Sequence, residues 1–467
     1  MSLTDFLHGV ENVSVNTGLR PIQTARSSVI GLIGTAPGAN LAKFPIDRNV
    51  LVTSRTGMAG LGVTGTLPIA LDAIFDQIGA AVVVRRIEEG SAINETLGNV
   101  IGGVDDETGE LLGVHGFRDA ESELGLSPMI LIAPGFTHQR PIGVNRIEVS
   151  KQGAGYTVAT VKFAGGGGLT VPAATAVIEN GKVVGITIDR PGFALTNIPT
   201  ITIEGDGTGA EAVAFNGPSA NPVVGEMQSI ADELRAHVIA DGPATTESAA
   251  FDYRRDFGTR RVFIVEPKVS GFSTVRDEYV IQEGSGRQAG VIAKTDNEVG
   301  FWESPSNKLI YGIGGLSRPI DSVGKNSRAN RLNENQIATF IRDDGWYTWG
   351  NQTCSQDPKF KFLSVSRTDD MINVSIMRAH RWAVDRGITR GYFDDVASSV
   401  RLYLRTLVPK GAILPGGDCW VDPELNGPEE ISNGHATFDY DFTPTYPAER
   451  VTFRSHLVTD YIKNLFD

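Results

Sequence analysis

Short apolar, β-branched runs recur along this chain with helical stretches between them, and that alternation restricts the fold more than any other feature. The runs are residues 28–34, 80–87, 129–133, 237–240 and 261–266. Each has the length and composition of a buried strand. Between them, 67–78 and 225–236 have helical spacing. In the second, Met227, Ile230, Leu234 and Val238 recur along one helical face. Strand–helix–strand order predicts an α/β domain with at least a partly parallel sheet.

Between about residues 135 and 221 the pattern breaks. Gly, Thr, Val and Ala dominate, and Gly165–Gly168 form an unbroken tetrad. A weak internal repeat is visible here. Gly153-Ala-Gly-Tyr-Thr157, Val161-Lys-Phe163 and the tetrad recur as Gly192-Phe-Ala-Leu-Thr196, Ile201-Thr-Ile203 and Gly205-Asp-Gly207. The offset of about 39–40 residues is one that marks duplicated units. Asn180-Gly181 is a hairpin-turn signal between the copies. These features predict a small all-β module inserted into the α/β domain. It should leave and return at nearby points, because the host pattern resumes after it.

From about Trp346 the chain is mixed. Residues 370–386 read as an amphipathic helix with Ile372, Ile376, Ala379 and Ala383 on one side, a charged opposite face, and Gly387 as its stop. A second helix is predicted over 393–407, followed by the breakers Pro409 and Gly411. Both chain ends have strand character. Residues 9–18 include Val10, Val13 and Val15; in 449–458, Val451, Phe453, Ser455 and Leu457 alternate with polar residues. A terminal strand must find an edge to pair with. Either each end closes a sheet within its own chain, or it reaches into a neighbouring copy.

Sequence chemistry nominates no catalyst. There is no phosphate-binding G-x-x-x-x-G-K-[ST], no H-E-x-x-H and no G-x-S-x-G. The glycine clusters at 165–168, 205–209 and 283–287 read as turns rather than as strand-to-helix phosphate cradles. Adjacent carboxylates (Asp369-Asp370, Asp394-Asp395, Glu429-Glu430) diverge in direction and suit helix starts and solubility. The seven histidines show no paired ligand spacing; His380 reads as part of a solvated polar face and His456 as an outward edge position. Cys354 and Cys419 are expected to be reduced and buried. A net charge of −13 over 467 residues does not suit a nucleic-acid binder. No apolar run approaches membrane-spanning length, and the N-terminal segment lacks the features of a signal peptide. No catalytic, cofactor-binding or metal residue is assigned.

Three segments together resemble the tail sheath proteins of contractile-tailed bacteriophages and the related R-type bacteriocins. The first is Phe6-Leu-His-Gly-Val10, Gly18-Leu-Arg-Pro-Ile22 and Val29-Ile-Gly-Leu-Ile-Gly-Thr-Ala-Pro37. The second is Ala289-Gly-Val-Ile-Ala-Lys-Thr-Asp296 with Gly300-Phe-Trp-Glu-Ser-Pro305. The third is Gly345-Trp-Tyr-Thr-Trp-Gly-Asn-Gln-Thr353, followed by the C-terminal helices and Pro447-Ala-Glu-Arg-Val-Thr-Phe453. Gln352 departs from the family pattern, in which Arg stands at this place.

The resemblance implies a structural protein, not an enzyme, that builds a six-fold helical sleeve around a tail tube and contracts. Its partners would be further copies of itself, the tube protein, and baseplate and tail terminator proteins, with no nucleic acid, membrane insertion or cofactor. It would be assembled in the host cytoplasm and reside in the virion. The expected fold class is α/β (α+β overall), divided into an N-terminal exchanged arm (1–20), a mixed-sheet core (21–135 plus 222–345), an outer β module (136–221), an inner C-terminal α+β domain (346–448) and a C-terminal exchanged arm (449–467). Val10, Val13, Val15, Val451, Phe453 and Leu457 would pair with a neighbour's C-terminal sheet, and the inner domain would meet the tube through the stretch 426–433, with Glu429 and Glu430, or through the 370–386 helix. Two alternatives are a bacteriocin or secretion-type injection sheath, and a soluble α/β enzyme with a carbohydrate-binding β insertion.

Overall fold

The computed structural model describes residues 22–168, 170–459 and 461. Eight strands form its main sheet, in the spatial order Trp346–Trp349, Ile337–Arg342, Val262–Val265, His237–Asp241, Ile130–Ile132, Ile30–Thr35, Val82–Ile87 and Asn49–Val52. The six inner strands are parallel, with Ile30 opposite both Val82 and Ile130, and Val238 opposite Val262. The two outer strands are antiparallel to their neighbours. The sheet is therefore mixed, and all five predicted runs lie in it.

Period-2 side-chain alternation divides the core into two layers. Ile33, Val83, Leu131, Val238 and Ile264 face the helix Pro222–Leu234. Leu32, Val84, Ile130, Ile132 and Phe263 face the helices Leu67–Phe75 and Gly284–Glu298. Each such side chain, once fully buried, is worth about 1.5–3 kcal/mol. The helix at 222–234 begins three residues earlier than its spacing predicts, because Asn221 caps it by accepting from Val224 N at 3.1 Å and Pro222 opens its first turn. It ends at Leu234 because Arg235 turns left-handed, at φ +56°.

Six strands form the glycine-rich insertion: Ile142–Ala154, Ala159–Ala164, Ala173–Glu179, Lys182–Arg190, Thr200–Gly205 and Thr208–Pro218. Its two connections to the host lie side by side. Ile142 pairs with Pro218, and Ser219 N donates to Pro141 O at 3.0 Å. Asn180 and Gly181 both have positive φ, +52° and +75°, which makes the expected hairpin turn.

Two long helices, Leu363–Ala379 and Arg390–Leu407, dominate the region after the sheet. The predicted 370–386 helix is displaced: it begins at Leu363, ends at Ala379, and is followed by the 3-10 turn Arg381–Ala383 rather than running to Gly387. Its charged face is also not solvated throughout, since Asp370 and Arg367 are buried. Cys419–Trp420 and Asp439–Tyr440 make a two-stranded sheet beside the helices. Met371, Ile372, Val400, Tyr403 and Leu404 form the core here, which Met129 and Phe301 from the sheet region join. Both cysteines are buried and unpaired with one another.

Candidate assembly surface

The helix Leu363–Ala379 is fixed to the sheet region by charge pairs, of which Arg261–Asp370 and Arg367–Asp296 are buried. Arg261, at the start of an inner strand, donates to Asp370 at 2.5 Å and to Asp232 at 2.8 Å. Arg260 pairs with Asp369 at 2.7 Å, and Arg367 makes two hydrogen bonds to Asp296 and a third to Ser27 O. His237 Nε2 sits 2.9 Å from Ser366 Oγ. Burial, reinforced by the guanidinium groups of Arg261, Arg367 and Arg260, keeps that imidazole neutral by pulling its pKa well below the usual value. Adjacent carboxylates do diverge here, but Asp370 is a buried partner rather than a solubilising charge. His380 is likewise half-buried rather than solvated, between Ile376 O and Ser399 Oγ at 2.8 and 2.6 Å.

The end of the chain is anchored first and then left bare. Leu414 N donates to Thr443 O, Thr445 N donates to Ala412 O, and Tyr446 stacks edge-on against Phe362. Glu449 accepts from Lys361 Nζ at 2.9 Å and from Gln352 Nε2. The departure from the family pattern at Gln352 thus falls on the residue that meets the base of the arm. Beyond Glu449, residues 450–459 form no strand and pair with no other strand among the described residues. Val451, Phe453 and Leu457 are 66%, 91% and 101% exposed. Among the described residues, this end does not close a sheet within its own chain. His456 is exposed as well, though on no strand. Val10, Val13 and Val15 lie outside the described residues.

Glu429 and Glu430 stand exposed on the short helix Pro428–Ser432, where Glu430 meets His435 Nδ1 at 2.8 Å. The structure does not bring them near the arm residues in any hydrogen bond or ion pair. The two-stranded sheet Cys419–Trp420 and Asp439–Tyr440 has both outer edges unpaired among the described residues. An open edge can accept an added strand.

One glycine cluster is not a simple turn. Glu283–Arg287 joins the strand Glu278–Gln282 to the helix Gly284–Glu298, which corrects the expectation that none lies at a strand-to-helix junction. A carboxyl group of the protein already fills that helix end: Asp241 accepts from Ser285 N and Oγ at 2.8 and 2.6 Å. Burial first, and then the charge of Glu283, raise the pKa of Asp241 to about 8. The pairing of Asp241 with Ser285 and of Arg261 with Asp370 escaped the sequence reading, because each joins residues far apart in the chain. Among the described residues, no cluster of His, Cys, Asp and Glu could hold a metal ion, and no helix is long and apolar enough to cross a membrane.

Comparison with known proteins places this geometry in a family. Residues 206–354 match the phage tail sheath protein central domain, and 355–457 match the phage tail sheath C-terminal domain. A putative prophage major tail sheath protein of Pseudomonas aeruginosa (strain UCBPP-PA14) is 31% identical over 99% of both chains. The tail sheath protein of Escherichia phage P2 is 28% identical over 99% of this chain and 98% of its own. Among solved structures, the contracted helical sheath of the anti-feeding prophage aligns with TM-score 0.60 at 16% identity, over 97% of this chain and 99% of that one. The contracted sheath complex of the PVC extracellular contractile injection system aligns with TM-score 0.56 at 12% identity, over 98% and 99%. The anchored but unpaired C-terminal arm, the mixed-sheet core and full-length similarity agree: this chain belongs to the contractile phage tail sheath protein family.

Proposed function

We propose that this protein is the repeating subunit of a contractile tail sheath, polymerising head to tail around a tail tube and held together by exchanged arms. The observation that carries the reading is the arm beyond Glu449, whose Val451, Phe453 and Leu457 alternate as in a strand yet have no cover in their own subunit. A neighbour's Cys419–Trp420 and Asp439–Tyr440 sheet offers the missing edge. Each added backbone hydrogen bond would contribute about 0.5–1.5 kcal/mol net. Burial of each apolar side chain would add about 1.5–3 kcal/mol. A head-to-tail contact that does not close on itself yields a helix of subunits. Rigid bodies tied by exchanged arms repack from an extended to a shorter, wider sleeve, driving the tube through a host envelope.

In this reading the residues 1–20 serve as a second arm, Glu429 and Glu430 face the tube, the β module lies on the outer surface, and the assembled sheath is part of a virion. The curated relatives named above, one from a prophage and one from a phage, support a phage tail over an injection device, although the solved neighbours come from injection systems. Deleting 449–467 should abolish polymerisation and leave a folded subunit, read by sedimentation and circular dichroism. Normal tubes from the truncated chain would sink arm exchange.

A further inference from the structure

The repeat visible in the sequence has a three-dimensional counterpart. We infer that the inserted module is a fused dimer: residues 142–179 and 182–218 are two copies of one three-stranded unit, and the surface each copy uses is a docking surface for the other. Strand pairing in the module runs between the copies. Ile142–Ala154 pairs with Thr208–Pro218, Ala173–Glu179 with Lys182–Arg190, and Ala159–Ala164 with Thr200–Gly205. Among the described residues, pairing within a copy is a single contact in the first, Thr160 opposite Thr175.

A two-fold axis through the central pair follows from its register. Val161 lies opposite Ile203, and Phe163 lies opposite Ile201. Shifting by 40 residues converts the first pair into the second. Contacts outside the strands obey the same exchange of copies at an offset of 39 residues. Tyr156 N donates to Gly181 O at 3.0 Å, and Leu195 N donates to Ile142 O at 3.0 Å. A Cβ on Gly207 would meet the Tyr156 ring at 2.5 Å, and one on Gly168 would meet Leu195 at 2.6 Å. The glycines of each copy are thus the flat places on which the other copy's large side chain rests.

Besides the Thr160–Thr175 pair, which the second copy does not repeat, two positions break the symmetry. Thr157 N and Val158 N donate to the Asp206 carboxylate at 2.9 and 3.0 Å, joined by the Thr157 hydroxyl. At the related place Thr196 N and Asn197 N donate at 2.9 Å to a main-chain oxygen, Gly166 O, joined by the Thr196 hydroxyl at 3.3 Å. Gly166 presents that oxygen from a left-handed conformation, φ +89°. Asp206 is a side-chain substitute for a glycine carbonyl. The second break is Phe193, fully buried in the host core, whose counterpart is the exposed Ala154. One copy docks on the host, and the other docks on its twin.

Substitution at 206 in the full-length chain, read by amide hydrogen exchange, tests the equivalence. D206A should speed exchange at Thr157 and Val158 by about tenfold, the loss of a small set of hydrogen bonds, and leave Thr196 and Asn197 unchanged. D206G can adopt the Gly166 conformation and present its own carbonyl, so protection should stay within about threefold of wild type. Equal loss in D206G and D206A would overturn the equivalence. A protease site placed between Asn180 and Gly181, then cut, gives an independent reading. Strands 159–164 and 200–205 should remain protected, because their partners are in the other copy. Loss of protection in both after cutting would also overturn the inference.

Discussion

Arg261 and Asp370 meet at 2.5 Å with only 4% and 1% of their side chains exposed, so the contact joining the sheet to the C-terminal helices is a buried ion pair. Arg260 and Arg235 stand at 3.4 and 4.0 Å from the same carboxylate. Desolvating the two charges offsets much of their attraction, but leaving one of them alone in the interior is costly.

D370A should therefore lower the stability of the full chain by about 3–5 kcal/mol. The double variant R261M/D370L should recover most of that loss, since no charge remains buried without its partner. Urea unfolding of the three proteins decides the point. A single variant within about 0.5 kcal/mol of wild type, the range of ordinary surface substitutions, would show that the joint does not depend on this pair.

Asp241 gives a pH signature. Its folded pKa of about 8 lies far above the unfolded value of about 3.9. The folded protein holds this proton through the window between them, and the unfolded chain does not. The stability contribution is complete below about pH 4 and is lost as pH rises towards about 8. D241N removes the titration, so its stability relative to wild type should improve steadily from pH 5 to pH 8, measured by denaturant unfolding at each pH. A difference that stays flat over that window would contradict the assignment.

Phe193 fixes the β module to its host. It is completely buried in the same core cluster as Phe136, Val223 and Val224. F193A should cost about 3–5 kcal/mol, the usual range for emptying a Phe-sized space. Ile198, exposed on the same copy, should tolerate Ala with a change under about 0.5 kcal/mol. Thermal unfolding of both variants gives the comparison, and a large loss at Ile198 with none at Phe193 would place the joint elsewhere.

Much of the fold was legible because its signals are local. The five strand runs announce themselves by composition, and Asn180-Gly181 announces its turn. The displaced helix at Leu363–Ala379 shows where local signals end. Its first turns, Leu363 to Thr368, are buried against the sheet, so their mixture of Ser, Arg and Thr carries no amphipathic pattern. The same applies to Glu283–Arg287, where the deciding partner, Asp241, lies more than forty residues away. At the candidate surface, the alternation of Val451, Phe453 and Leu457 was readable, but not that they join no strand among the described residues. That depends on where every other strand has gone.

The neighbouring attachments of the β module at Pro141 and Ser219 have a mechanical consequence. Force passing along the host enters and leaves the module at one place, where the Ser219 N to Pro141 O bond bridges the gap. The module is a side branch rather than a link in the chain of tension. Strands Ile142–Ala154 and Thr208–Pro218 begin and end together at that bridge, so a pull strong enough to break it would peel them apart one pair at a time. Whatever strain the sheet and the arms share in a moving lattice, the appended module is spared it until that bridge gives way.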